Sequence, residues 1–508
     1  MPRFAAVDIG SNSVRMMVAE PTPTGLRTIA EDRQVTRLGT SVFLAGSISQ
    51  DAMQTVCALL NRMAQSFEKH QAAAVRAVAT SAVRDASNQG EFLQAAQDAL
   101  KAPVEIISGQ EEARLIHLGV EARWPEPGKR RLLIDVGGGS TELILSDRGM
   151  FSTAYSKPLG AVRLTEVLLK RDPPTQLELH HLNEFIGEKL ADPVRCIEGP
   201  FDRVVATSAS ASAIVCAVNG IPRDQRDKAD RMGATTAQVR ALYELLNKLD
   251  AAARRKMPGI GPRRAELIVA GTAVFLRCLE AFGQDGLFYS VAGVRDGVIA
   301  DLSSRGFDKD TLQLDRPRLQ TVENLSSRYG VKPEHARKVA NLAAELFAGL
   351  QALHRLPASY GALLEAAAYL HDIGHYVSDT GHHKHSHYLV TNSEMPGFTS
   401  AERGLIAALS RYHRKTSPTV RHPMFESLES EARRAVVLLT PLLRLADSLD
   451  RSHEQKVQAI RIEVGTGQVT IAIVSNSDTG LEAWAAEQIA ELFRTSYNLP
   501  LAIKRAGS

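Results

Sequence analysis

Two short stretches of the 508-residue chain set a carboxylate beside a turn made of small polar residues. AAVDIGSNSVRMMVAE from Ala5 and LLIDVGGGSTELILSD from Leu132 align without gaps and share Asp, Gly and Ser at the same offsets. Each is an apolar run, a tight turn and a second apolar run, the pattern of a β-hairpin, and the repetition reads as internal duplication. Backbone N–H groups and hydroxyls exposed in such turns form a concave anion site. Ser11, Asn12, Ser13, Gly137, Gly138, Gly139, Ser140 and Thr141 would supply it. Asp8 and Asp135 end apolar strands and Glu142 closes the second turn. Hard oxygen ligands of this kind suit Mg²⁺ held partly through water and substrate phosphate. Neither turn has the glycine spacing of a dinucleotide or Walker loop, both of which pass from strand into helix.

Three further stretches carry groups suited to the same chemistry. In SGQEEARLIHLGV, Ser108 and Glu111 have the spacing of a capping box, which gives Glu111 a structural task. Glu112 is left at the first helical turn, free to activate a water as general base. In ATSAVRDASN, Arg84 falls one turn into a helix, where a guanidinium can grip phosphate oxygens with two parallel bonds. RYHRKTSPTVRH supplies Arg411, Arg414 and Lys415, a basic track able to neutralise a long anionic polymer.

The elements that must position these groups divide the chain. Its length exceeds the roughly 250–300 residues at which single cores stop growing, so several domains are expected. Helix and strand patterns alternate from AMQTVCALLNRMAQSF through AAVRAVAT, GEFLQAAQDAL and PVEIIS, and again after the second hairpin, which implies α/β layers. The expected parts are a first α/β lobe (1–128), a second (129–305), a helical domain (315–452) and a small α/β appendage (453–508). The polar stretch SSRGFDKDTLQLDRPRLQ reads as a linker between the α/β half and the helices.

Sixty basic and 57 acidic residues leave a net charge of +3, too little for a nucleic-acid-coating protein, so a polyanion must be held by local clusters. The four cysteines are widely spaced and form no metal or redox motif, which favours free thiols and a cytoplasmic location. No run approaches the ~20 apolar residues that span a bilayer.

Taken in order, AAVDIGSNSVR, ATSAVRDASN, ISGQEEARLI, IDVGGGSTEL, GAVRLTE and VAGVRDGVI resemble the exopolyphosphatase and guanosine pentaphosphate phosphohydrolase family over residues 4–303. The resemblance implies a duplicated ribonuclease-H-like fold, shared by actin, sugar kinases and heat-shock ATPases, with the active site between lobes. It implies Mg²⁺-dependent release of the terminal phosphate of inorganic polyphosphate, or alternatively of guanosine pentaphosphate. On matching positions Glu112 would be the catalytic base and Asp135 and Glu142 would organise metal and water. Ser13, Arg84, Ser140 and Thr141 would hold phosphates, with Arg163 and Arg295 as further candidates. The pattern departs from the family at Ala206-Thr207 and Arg264-Ala265-Glu266.

In the helical part His335, His371-Asp372 and Asp447 resemble the H…HD…D metal site of the HD superfamily, with His382, His383, His385, His387 and His413 between them. That resemblance implies a second divalent metal and a second phosphohydrolase site. Accessory domains of this size favour a homodimer. Two other classes remain open: a sugar or acetate kinase, for which Ala270-Gly271-Thr272 is the nearest approach to a nucleoside-binding motif, and a sensor with an inactive cleft.

Overall fold

A computed structural model describes residues 2–22, 25–305 and 313–505. The chain forms two compact units, Met1–Phe307 and Asp308–Ser508. The middle of the expected linker, 306–312, lies outside the described residues. Its last part, from Arg316, is already the first turn of a helix, Arg316–Arg328, capped by the Asp315 carboxylate and carrying Pro317 where a missing N–H is tolerated.

Two sheets of related topology build the first unit. The first joins β1 (Arg3–Ile9), β2 (Ser13–Thr22), β3 (Gly25–Val35), β4 (Ala72–Ala79) and β5 (Val104–Ile106) in the order β3-β2-β1-β4-β5. The second joins β6 (Arg130–Val136), β7 (Thr141–Asp147), β8 (Met150–Lys157), β9 (Arg203–Thr207), β10 (Gly233–Thr235) and β11 (Gly286–Tyr289) in the order β10-β11-β9-β6-β7-β8. In both, an antiparallel three-strand meander leads, and its first strand pairs in parallel with the next β-strand in sequence. The duplication seen in two hairpins thus extends to whole sheets, the actin and sugar-kinase type of α/β fold. β3 and β8, which widen each hairpin, were not expected from the sequence.

Apolar faces explain the layers. Val7, Ile9, Val14 and Met16 pack with Val56, Leu60 and Met63 of the helix Gln50–Lys69. Leu132, Ile134 and Leu143 pack with Leu182, Ile186 and the helix Ile268–Ala281. The helix Gly109–Arg123 lies between the two sheets: Leu115 meets Phe4, Ala6 and Met17, whereas Ala113, Ile116 and Val120 meet Leu133 and Ile144. It is therefore buried nearly all round, and its N-terminus is held in place from both sides.

The helix Val294–Ser304 packs with Val298 and Ile299 on the first sheet, not the second, so the stretch 129–305 does not end in its own lobe. It crosses the helix Gly109–Arg123 backbone to backbone. A Cβ on Gly297 would lie 1.8 Å from the Leu115 carbonyl oxygen, and one on Gly119 would lie 2.4 Å from that of Gly293. Only glycine permits that approach. Asp301 fixes the crossing through Arg76 Nη1 at 2.7 Å and Arg114 Nη2 at 2.8 Å. Burial opposes its ionisation, but Arg114, Arg305 and Arg76 outweigh it and hold the carboxyl below the usual range.

The second unit is helical with one small sheet, β12 (Ala459–Val464), β13 (Val469–Val474) and β14 (Leu501–Arg505), in the order β12-β13-β14. The expected appendage has no core of its own. Val469, Ile471 and Phe493 join Leu346, Phe347, Leu409 and Leu442 of the helices in one apolar cluster. Among the described residues no helix is long and apolar enough to cross a membrane, and all four cysteines are free.

Candidate active site

In the first unit the two duplicated turns face each other across a cleft of about 540 Å³. Each is closed by the same bond: Gly10 N–H donates to the Ser13 carbonyl at 3.2 Å, and Gly137 N–H to that of Ser140 at 3.0 Å. The turns approach so closely that a Cβ on Gly139 would lie 2.5 Å from Ser81 Oγ and 2.7 Å from Ser11 Oγ. Ser11, Asn12, Ser13, Gly137, Gly138, Gly139 and Ser140 all line the cleft, as their pattern required. Thr141 does not. Its hydroxyl donates to the Leu159 carbonyl at 2.8 Å and the residue is wholly buried, so it shapes the hairpin instead of touching a ligand.

Register makes the two hairpins chemically different. Asp8 stands opposite Arg15 across β1 and β2, whereas Asp135 stands opposite Glu142 across β6 and β7. One turn is thus balanced and the other is doubly acidic. Glu112 enters from the first turn of the helix Gly109–Arg123, whose N-terminus is capped by Ser108 Oγ accepting from Glu111 N–H at 3.2 Å. The Ser108 half of the expected capping box is present, while the Glu111 carboxylate is held by arginines: Arg114 Nε binds it at 2.8 Å and Arg76 Nη2 at 3.1 Å.

Glu112 stands differently. Its Oε2 is buried without a hydrogen-bond partner, and Arg84 Nη1 lies 3.7 Å away. Burial pushes its carboxyl well above the usual range; Glu142 adds to this, Arg84 opposes it, and Asp8 and Asp135 raise it further. Burial and Asp135 likewise push Glu142 up to about 7, although Ser156 donates to its Oε1 at 2.8 Å. Burial also raises Asp135, against a hydrogen bond from Thr207. Carboxylates that hold one another above their normal range, with orphaned oxygens at Glu112 Oε2 and Glu142 Oε2, fit a divalent cation. Among the described residues these four do not bring three ligand oxygens within 4.8 Å of one another.

Together with Glu31, Asp32 and Asp296, seven arginines line the cleft: Arg15, Arg33, Arg223, Arg226, Arg263, Arg264 and Arg295. Of these only Arg295 was singled out from the sequence; it also donates to the Met16 carbonyl at 3.1 Å. Burial, then repulsion from Arg15, Arg264, Arg226 and Arg295, pushes Arg33 down to about 9. Burial and Arg15 push Arg264 down to about 10. Cations driven this far together call for an anion with several charges. Arg163 is not among them. Its Nε donates to the Gly139 carbonyl at 2.8 Å, its Nη2 to Ser81 Oγ at 3.2 Å and to Asp85, and its guanidinium covers the Phe43 ring at 4.0 Å. It braces the second turn. Arg84 donates from Nη1 to the Ile107 carbonyl at 2.7 Å and meets the cleft through Glu112.

In the second unit His335, His371, Asp372 and Asp447 converge as expected. Asp447 Oδ1 lies 3.7 Å from His335 Nε2 and 3.5 Å from His371 Nε2. Arg411, Arg414 and Lys415 lie beside the histidines of this unit: the charges of Arg411 and Lys415 act on His383, and that of Arg414 on His382.

Buried carboxylates and a row of arginines share one cleft between the twin turns of a duplicated α/β fold, the site of a phosphoanhydride hydrolase. The chain belongs to the Ppx/GppA phosphatase family, whose profile matches residues 17–305, with the family's domain III over residues 318–485. It is 30% identical over 423 residues to the guanosine-5'-triphosphate,3'-diphosphate pyrophosphatase of Aeromonas hydrophila, covering 80% of each chain. To the protein of the same name from Vibrio vulnificus it is 28% identical over 506 residues, covering 99% of this chain and 98% of that one. Among solved structures, the Aquifex aeolicus family member matches with a TM-score of 0.54 at 29% identity, covering 61% of this chain and 99% of its own.

Proposed function

We propose that the cleft removes the terminal phosphate of guanosine pentaphosphate by water attack, with Glu112 as general base. The observation that carries this reading is one cleft that joins the buried, repelled carboxylate of Glu112 to seven arginines. The terminal phosphoryl group sits between the twin turns, where the N–H groups of residues 138–140 and the hydroxyls of Ser13 and Ser140 hold its oxygens. Glu112 takes a proton from the attacking water as the new P–O bond forms. The anhydride P–O bond breaks, and the arginines take up the charge that develops on the departing phosphate. Asp8, Asp135 and Glu142 would hold Mg²⁺, which when bound supplies positive charge to the transferring group. A buried, repelled carboxylate is a stronger base than a solvated one, which suits proton abstraction near neutral pH.

Guanosine pentaphosphate is favoured by the names of the relatives reported above, and by seven arginines at one cleft, a positive charge suited to a nucleotide that carries five phosphates. Inorganic polyphosphate is the second reading. In its favour, the lining offers a nucleobase one aromatic ring among the described residues, that of Tyr289, which is only 7% exposed. Orthophosphate release from each substrate, with Glu112→Gln as control, separates them. A kcat/KM at least roughly tenfold higher for guanosine pentaphosphate, about 1.4 kcal/mol of transition-state preference, supports the first reading. The reverse preference reassigns the cleft to polyphosphate, and release from neither overturns both. For the second unit we propose the HD-type relationship, on the convergence of His335, His371, Asp372 and Asp447.

A further inference from the structure

The histidines of the second unit are more numerous and more ordered than one metal needs. Asp372 Oδ1 lies 3.6 Å from His371 Nε2, 3.6 Å from His375 Nε2, 3.7 Å from His382 Nε2 and 3.6 Å from His413 Nε2. Its other oxygen, Oδ2, lies 3.9 Å from His335 Nε2. Five imidazoles therefore aim the same ring nitrogen at a single carboxylate.

In every one of them the opposite nitrogen faces an acceptor. Nδ1 of His335 meets Asp450 Oδ2 at 2.8 Å, that of His371 the Ala368 carbonyl at 2.8 Å, and that of His375 Asp379 Oδ1 at 2.7 Å. Nδ1 of His382 meets the Asp379 carbonyl at 3.2 Å and that of His413 the Ser410 carbonyl at 2.8 Å. A hydrogen on Nδ1 leaves Nε2 with a bare lone pair, the arrangement that orients metal-ligating histidines. Two consequences are visible. Nε2 of His335 and of His371 are buried with no hydrogen-bond partner, which is costly if nothing meets them. Nε2 of His382 and of His413 face each other at 3.1 Å. With both Nδ1 atoms carrying the hydrogen, two lone pairs at that separation repel unless a proton or a metal ion lies between them. Neighbouring ligands about 2.1 Å from one ion are themselves about 3.0 Å apart at octahedral angles and about 3.4 Å apart at tetrahedral ones.

We propose that the second unit carries a binuclear transition-metal centre: one ion held by His335, His371, Asp372 and Asp447, a second by Asp372, His375, His382 and His413, with the Asp372 carboxylate bridging them. The nitrogen-rich ligand set selects a transition metal over Mg²⁺. Asp372 is 17% exposed and His375 40%, so the centre opens to solvent on the side of the second ion. Arg414 lies near enough to His382, and Arg411 and Lys415 near enough to His383, for their charges to act on those rings. An anion is thereby drawn to the opening, and the chemistry that a paired centre supports is hydrolysis of a phosphate ester. Water held at the centre attacks phosphorus, the P–O bond to the leaving group breaks, and a water proton passes to the leaving oxygen. This inference does not rest on the reading of the first cleft.

The test uses the full chain, stripped with chelator and titrated with Co²⁺ in excess Mg²⁺, which occupies the acidic cleft of the first unit. Visible d–d absorption should saturate at two equivalents in the wild type. Asp372→Asn should lose both, and His413→Gln should keep one, with circular dichroism reporting that each variant is folded. Equal binding by wild type and Asp372→Asn overturns the centre, and a single equivalent that His413→Gln does not alter overturns the second ion. Hydrolysis of p-nitrophenyl phosphate is then measured in the Co²⁺-loaded Glu112→Gln chain. It should exceed that of the Glu112→Gln, Asp372→Asn chain by on the order of a hundredfold. Two bound ions without that difference overturn the hydrolytic role.

Discussion

Replacing Glu112 by glutamine should abolish catalysis and stabilise the first unit at the same time. The carboxylate is buried, its Oε2 has no hydrogen-bond partner, and Glu142, Asp8 and Asp135 repel its charge. Removing a general base lowers kcat by about 10²–10⁴-fold, or roughly 3–5.5 kcal/mol of barrier. Removing an uncompensated buried charge returns about 1–3 kcal/mol of stability, visible as a rise of about 1–2 °C per kcal/mol in a unit that runs from Met1 to Phe307. Its neighbour gives the opposite sign. Glu111 sits between Arg114 and Arg76, and breaking a buried pair from one side costs about 3–5 kcal/mol. Glu111→Gln should therefore lower the melting temperature while kcat of the folded fraction falls far less. The assays are orthophosphate release under saturating substrate and thermal unfolding without Mg²⁺. Glu112→Gln activity within tenfold of wild type, or a lower melting temperature for Glu112→Gln, would refute the assignment of a repelled, catalytic carboxylate.

Two other outcomes follow from geometry already described. Gly139→Ala should lose about 1–3 kcal/mol by overpacking, because the added methyl meets Ser81 Oγ and Ser11 Oγ, and kcat should fall as the turns part; unchanged unfolding and turnover would argue against their contact. His117 is held neutral: burial, then Arg131 and Arg114, push it down to about 3. A folded value below the unfolded one means the stabilisation is present above about pH 6.5 and is lost as pH falls toward 3, by on the order of 4–5 kcal/mol. The difference in unfolding free energy between wild type and His117→Gln should narrow over that window; a constant difference would contradict it.

What could be read from the sequence was what is local. The twin turns were legible because small residues and flanking apolar runs declare themselves over sixteen positions. Glu112 could be separated from Glu111 by capping geometry, although arginines from β4 and from the same helix turned out to be Glu111's main partners. β3 and β8 escaped because their half-exposed faces mix polar with apolar residues. Apart from Arg295, the arginine row escaped for a different reason. Arg15, Arg33, Arg223, Arg226, Arg263, Arg264 and Arg295 come from separate segments and meet only once the sheets are built. Thr141 shows the converse: its residue type suited a phosphate contact, but strand register turns its hydroxyl to the Leu159 carbonyl. In the second unit the histidines were visible as a group, yet the pairing of His382 with His413 across 31 residues needed the fold.

The most direct test of water attack on the terminal phosphorus is hydrolysis of guanosine pentaphosphate in ¹⁸O-labelled water, with mass analysis of both products. The account predicts one labelled oxygen in the released orthophosphate and none in the guanosine tetraphosphate. Label in the nucleotide, or release of pyrophosphate, would contradict it.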